Sequence, residues 1–368
     1  MMTPLDHGRL RVFPLAERRS LTRVDDILIP ADAPLPAMPE AVLAAAGRAA
    51  RDIRAARERG AAVMLIYGAH LLRNGAALLL DRLMGEGWVT HLATNGAGTI
   101  HDWEYAWLGQ STEKVEDNVA TGTFGTWDET GRNIHLALLA GALRHEGYGQ
   151  ALGRFIAEDG CTLPPADELG MLLANFPADP LAPAAADLLV AMRRHGLAEG
   201  RHEVVHRWRR GSILASAFRH GVPLTVHPGI GYDIVSCHPM FNGAVIGRAA
   251  ELDFKRFAGV VEHLDHGVVM SIGSAIMGPQ VFEKSLSCVH NLRRQDGRPN
   301  VEGHSIHVVD LQDGGGWDWT QGEPPKSNPA YYLRFCKSYS RMGGTMHYVQ
   351  ADNAGFVHAL TRALGTGR

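Results

Sequence analysis

Residues 61–110 read AAVMLIYGAHLLRNGAALLLDRLMGEGWVTHLATNGAGTIHDWEYAWLGQ. The apolar run Val63–Tyr67 has the length of a buried strand and stops at Gly68. Leu71, Leu72, Leu79, Leu80 and Leu83 follow as the apolar positions of an amphipathic helix, and a second strand is expected over Val89–Ala93. It opens into Asn95-Gly96-Ala97-Gly98, with His101, Asp102 and Glu104 close behind. This is a β-α-β unit, which gathers glycines and ionisable groups at the carboxyl ends of two parallel strands. In open parallel sheets that edge is where ligands bind.

The alternation resumes in the second half of the chain. Strands are expected at Pro223–Val226, Gly267–Ile272, Ser305–Val309 and Thr345–Gln350, with helices near 203–220, 251–264, 279–294, 329–341 and 353–364. An earlier helix is expected over about Pro39–Arg59, and 111–160 reads as mainly helical. Residues 1–40, rich in proline and arginine, read as an N-terminal arm. Residues 41–368 read as a single α/β domain, interrupted around 161–200 by a proline-rich insertion. The fold class is thus α/β, a doubly wound, mostly parallel Rossmann-like sheet with helices on both faces.

Composition narrows the function classes. The 36 Lys and Arg against 39 Asp and Glu leave a net charge of −3, which offers no electrostatic footprint for nucleic acid or an acidic membrane surface. No apolar run reaches membrane-spanning length, and no signal pattern opens the chain, so a cytoplasmic protein is expected. Cys161, Cys237, Cys288 and Cys336 are scattered without a CxxC pair, which argues against a disulfide framework and a Cys-based zinc site. His227, Asp233, Cys237 and His238 lie close together, and His202 and His206 are four apart. Without an HExxH, however, no metal is expected.

Four strand ends carry similar material: Gly68, Ala69 and His70; Asn95, Gly96, Ala97 and Gly98; His227 to Asp233; and Gly273 with Ser274. Asp310 and Asp313 follow a fifth. Glycines there let backbone N–H groups reach a diphosphate, helix N-termini add a positive field, and a carboxylate can hold ribose hydroxyls. Gly68, Ala69, His70, Asn95 to Gly98, Gly273, Ser274 and Asp310 are therefore the candidate cofactor-binding residues. No GxGxxG is present.

The order of strand, glycine turn, helix, strand, Asn-Gly-Ala-Gly and a following acidic residue resembles deoxyhypusine synthase, over about 61–110 and 220–365. The Asn95-Gly96 and His101-Asp102-x-Glu104 arrangement is also similar to the archaeal-type NAD-dependent ornithine cyclodeaminase domain. Both resemblances imply NAD as cofactor, and the first implies a homotetramer. The deoxyhypusine synthase lysine lies in a Trp-Gly-Lys triplet, whereas this chain has Trp317-Asp318-Trp319.

The expected activity is an NAD-dependent reaction on a small amine or amino-acid-like substrate. One form is a transferase of the deoxyhypusine synthase type. The rival is a cyclodeaminase-like lyase, and a non-catalytic nucleotide-binding regulator is the third possibility. An ammonium needs carboxylates, for which Asp102, Glu104, Asp233, Asp313 and Asp318 are candidates, and a base, for which His101 and His238 are candidates. Trp317 and Trp319 could wall a cation, and Lys284 is a candidate imine-forming lysine. No basic residue is evident for a 2′-phosphate, which favours NAD over NADP.

Overall fold

The computed structural model describes residues 3–365. Six parallel strands make the main sheet: β1 (Val63–Tyr67), β2 (His91–Asn95), β3 (Leu224–His227), β4 (Val268–Ile272), β5 (Ser305–Asp310) and β6 (Thr345–Gln350). Their spatial order is β6-β5-β4-β1-β2-β3. Chain order reverses at one point, between β1 and β4, where Val63 lies opposite Val268 and Tyr67 opposite Ile272. This is the strand order of dinucleotide-binding sheets, and the fold is Rossmann-like.

The residues explain the sheet. Every residue of β1 and of β4 is buried, because helices cover both faces and leave no side for polar alternation. On one face Met64, Ile66, Val269, Ile306 and Val308 pack with Phe282, Leu286 and Val289 of the helix Met277–Gln295. On the other, the helix Glu40–Glu58 lies against β1 and β4 and against the terminal helix Asn353–Gly365.

Where the sequence reads as an arm (1–40) and one body (41–368), the chain groups into two compact units. The sheet unit comprises residues 27–98, 219–227 and 254–365, and the helical unit residues 3–26, 99–218 and 228–253. The long connections that leave the carboxyl ends of β2 and β3 build the second unit. It contains the helices Asp128–Ala142 and Tyr148–Ala157, and an antiparallel pair of strands, Gly160–Leu163 with Gly200–Glu203. Between those strands the proline-rich segment forms the helices Ala166–Ala174 and Ala182–His195.

The helix expected near 251–264 spans Gly243–Val261, the one near 329–341 is a 3-10 turn followed by Arg334–Tyr339, and two others differ for reasons visible in the chain. The helix expected over 203–220 is confined to Ile213–His220, because 200–203 pairs as a strand and Arg209–Gly211 turns as a 3-10 segment. His202 and His206 therefore do not share a helix face. The leucine-rich helix after β1 is split into Ala69–Arg73 and Ala77–Gly85. Gly75 breaks it at a φ of +85°, where a Cβ would lie 1.8 Å from the Ile27 carbonyl oxygen.

Candidate functional site

At the reversal point of the sheet, the loops after β1 and β4 touch. The Gly68 N–H donates to the Ile272 carbonyl at 3.2 Å, and a Cβ on Gly68 would lie 2.1 Å from the Gly273 carbonyl oxygen. Gly273 itself has a φ of +60°, and a Cβ there would meet the Asn353 side chain at 2.3 Å. Ser274 then turns its Oγ to accept from the Gly278 N–H at 3.1 Å, in the first turn of the helix Met277–Gln295. Ala69 is half-buried and His70 exposed, beside this turn.

The next loop is also close-packed. Asn95 Oδ1 accepts from the Gly98 N–H at 3.0 Å, and a Cβ on Gly98 would lie 2.2 Å from Thr94 Oγ1, which in turn donates to the Tyr67 carbonyl. Gly96 is buried and Ala97 half-buried. Asp310 ends β5 half-buried and accepts from the Gln312 N–H at 3.1 Å. The strands run parallel, so all ten cofactor-binding candidates stand along one edge of the sheet unit.

The catalytic candidates are divided between the two units. Asp313 and Lys284 lie in the sheet unit, and His101, Asp102, Glu104, Asp233 and His238 in the helical unit. Asp313 is exposed and accepts from the Gly315 N–H at 2.9 Å, which closes its own turn. Lys284 is exposed on its helix and pairs with Glu283 at 2.7 Å. Trp319 is a core residue, while Trp317 donates its Nε1–H to the Gly322 carbonyl. Both border a cavity of about 150 Å3 with Arg48, His307 and His347.

In the helical unit, Glu104 is the centre of a buried network. Arg18 meets it through two parallel N–H bonds of 2.8 Å, with both side chains almost wholly out of solvent. Thr130 Oγ1 donates to the same carboxylate at 2.9 Å, and Ser111 Oγ at 2.5 Å. His101 Nδ1 stands 2.7 Å from that serine oxygen. The sequence reading did not single out Arg18, Ser111 or Thr130. Arg18 is 86 residues from Glu104 in the chain, and no spacing rule links such positions.

Asp102 has no exposed surface and accepts from the Leu214 N–H at 2.9 Å, near the start of the helix Ile213–His220. Burial pushes its carboxyl up to about 7, against hydrogen bonds from Ser212 and the Leu214 and Ile213 backbone. Asp233 accepts from the Gly229 N–H at 2.7 Å, and burial raises it to about 6. His238 has both ring nitrogens engaged. Its Nδ1 accepts from the Met240 N–H at 3.0 Å, which leaves Nε2 to donate to Asp128 at 3.3 Å.

Among the described residues, no group of three or more His, Cys, Asp or Glu is placed to hold a metal, and no helix is long and apolar enough to cross a membrane. His227, which the sequence groups with Asp233, Cys237 and His238, belongs to the sheet unit, where its ring packs edge-on to Phe257.

No family model and no curated protein matches the chain. Strand order and register define the fold; several solved structures are similar to it at low identity. ArgZ, an arginine dihydrolase from the ornithine-ammonia cycle in cyanobacteria, is 14% identical in its apo form with a TM-score of 0.42, over 90% of this chain and 33% of that one. Unliganded AgrE is 14% identical with a TM-score of 0.44, over 90% and 34%. An LOR/SDH-type protein from Methanococcus maripaludis S2 is 13% identical with a TM-score of 0.41, over 92% of this chain and 74% of that one. The chain thus spans about a third of the length of ArgZ and of AgrE.

Proposed function

We propose that the carboxyl edge of the sheet unit binds NAD and that the protein is an NAD-dependent enzyme acting on a small amine or amino-acid-like substrate, of the cyclodeaminase-like lyase class. The observation that carries this reading is the contact of Gly68 with Gly273 at the single point where strand order reverses. Backbone without side chains at a switch point is what close approach of a diphosphate requires. Gly98 supports it, since packing without a Cβ seats the start of a helix against β2. Bound NAD would supply the hydride acceptor and donor. His101 is the proposed base, and Asp233, rather than the fully buried Asp102, is proposed to hold an ammonium in the same unit.

The lysines favour a lyase over an imine-forming transferase. A lysine that attacks a carbonyl must lose its proton near neutral pH, which usually takes a desolvated pocket or a cationic neighbour. Lys284 and Lys326 are exposed, and Lys284 faces an anion. Lys337 pairs with Glu323 and lies over the Tyr331 ring, which raises its pKa. AgrE has been solved as a ternary complex with ornithine and NAD+. For this chain the reading rests on its own sheet edge.

Calorimetric titration of NAD and NADP into the purified protein, after removal of any co-purified nucleotide, is the test. Saturable NAD binding, weakened at least tenfold by Gly98→Val in a variant that still melts cooperatively, is the expected result. A screen of amines and amino acids for NADH formation or ammonia release then follows, with Lys284→Ala, Lys326→Ala and Lys337→Ala all expected to retain turnover. Absence of NAD binding would overturn the proposal.

A further inference from the structure

The Glu104 network fixes more than a fold contact. Each oxygen of the carboxylate takes two donors: Oε1 from Arg18 and Thr130, Oε2 from Arg18 and Ser111. A carboxylate has no hydrogen to give, so the Ser111 hydroxyl must donate its only one to Glu104. Towards His101 the same hydroxyl oxygen can therefore only accept. The 2.7 Å contact between Ser111 Oγ and His101 Nδ1 then requires a hydrogen on Nδ1.

We infer that Glu104 and Ser111 hold His101 in the tautomer protonated at Nδ1, which makes Nε2 the atom that takes up and returns a proton. Glu104 and Ser111 are thus positioning residues for the base, and Arg18 and Thr130 keep Glu104 an acceptor. The catalytic part of this inference rests on the proposed role of His101, whereas the tautomer rests on hydrogen counting alone.

Local structure holds the relay at both ends. His101 and Glu104 are three apart on the helix Gly96–Leu108 and share a face. Ser111 returns to that face after Gly109, which turns at a φ of +71°. Gln110–Ser111 is then pinned as a short strand against Thr22–Arg23, with Thr22 Oγ1 donating to the Ser111 carbonyl at 2.9 Å. Two other histidines of the unit provide internal references. Hydrogen counting gives His238 the opposite form, with its hydrogen on Nε2, because its Nδ1 accepts from Met240. His135 has its hydrogen on Nδ1, which donates to the Gly131 carbonyl at 2.7 Å.

Long-range proton–nitrogen correlation spectra of the full chain, with 15N-labelled histidine, read the tautomer directly. The His101 signals are assigned by their loss in His101→Gln. Wild-type protein is expected to show His101 protonated at Nδ1, and Ser111→Ala to move a substantial fraction to the Nε2-protonated form. His101 protonated at Nε2 in the wild type would overturn the inference, and this spectrum decides even if Ser111→Ala does not fold. An unchanged, pure Nδ1 form in a folded Ser111→Ala variant would overturn the role of the relay. No cofactor is needed, so the failure of NAD to bind would remove the proposed reaction and leave the tautomer result standing.

Discussion

Asp102 lies one position after His101 and points its carboxylate at the backbone of another helix. With no exposed surface, the group is easier to keep neutral than charged, and its pKa rises from 3.8 to about 7. The sign of the stability effect follows. A carboxyl whose folded pKa lies above its unfolded value stabilises the fold below the unfolded value and loses that contribution as pH rises through the folded one. The window here runs from 3.8 to about 7. Asp102→Asn keeps an oxygen for the Leu214 N–H and removes the ionisation. The difference in Tm, variant minus wild type, should therefore be more favourable at about pH 8 than at about pH 5. Circular-dichroism melts at the two values check this, and an equal difference at both would show that the carboxyl is already ionised in the fold at pH 5.

Among the elements, the terminal helix shows how a single side chain can close a chain end. Arg54, half-buried on the helix Glu40–Glu58, donates to the Ala363 carbonyl at 2.6 Å and the Leu364 carbonyl at 3.2 Å. Those carbonyls lie in the last turn of the helix, at the negative end of its dipole, where a cation is favoured. Arg54→Ala should cost about 1–2 kcal/mol, read as a lower urea midpoint. Arg51→Ala, exposed on the same helix, should cost less than about 0.5 kcal/mol. Equal costs would mean that helix propensity, not the cap, is being measured. Elements of this kind were legible unevenly in the sequence. β1 and β6 could be read to the residue, because a strand buried between helices, or bounded by glycine and helix starts, has sharp ends in composition. β2 runs from His91 to Asn95 where Val89–Ala93 is expected, since Thr90 already bonds Val63 on the neighbouring strand through its hydroxyl and its N–H. The helix expected at 203–220 failed for a longer-range reason, because its first residue, Glu203, ends a strand that pairs with Gly160–Leu163. The same limit hid Arg18 and Ser111. Periodicity reports what a segment can become, whereas a buried carboxylate is completed by whatever the chain brings from elsewhere.

Taken as a whole, the molecule stores an acid sensitivity in its buried histidines. Burial lowers His91 to about 3 and His135, His206, His227 and His304 to about 4, from an ordinary value of 6.5. His91 and His227 flank Phe257 in the sheet unit, and His135 and His206 belong to the helical unit, so both units carry the effect. A histidine with a depressed folded pKa contributes stability that is fully present above 6.5 and is lost as pH falls towards 4. Asp102 and Asp233 act in the opposite direction, because their raised values favour the fold as pH falls. His195, His290 and His347 are lowered in the same sense, so the histidines outweigh the two carboxyls and unfolding near pH 5 takes up protons, each worth about 1.4 kcal/mol per pH unit. The salt-bridged carboxylates with lowered values, such as Asp128 and Asp159, lose their contribution only at lower pH, around and below 3.8. Urea midpoints should thus hold roughly level above about pH 7 and fall steeply between about pH 6.5 and 4.5. Calorimetric unfolding in buffers of different ionisation enthalpy should register proton uptake at about pH 5. A level midpoint across that interval, or proton release on unfolding, would mean that these histidines are hydrated or already charged in the fold.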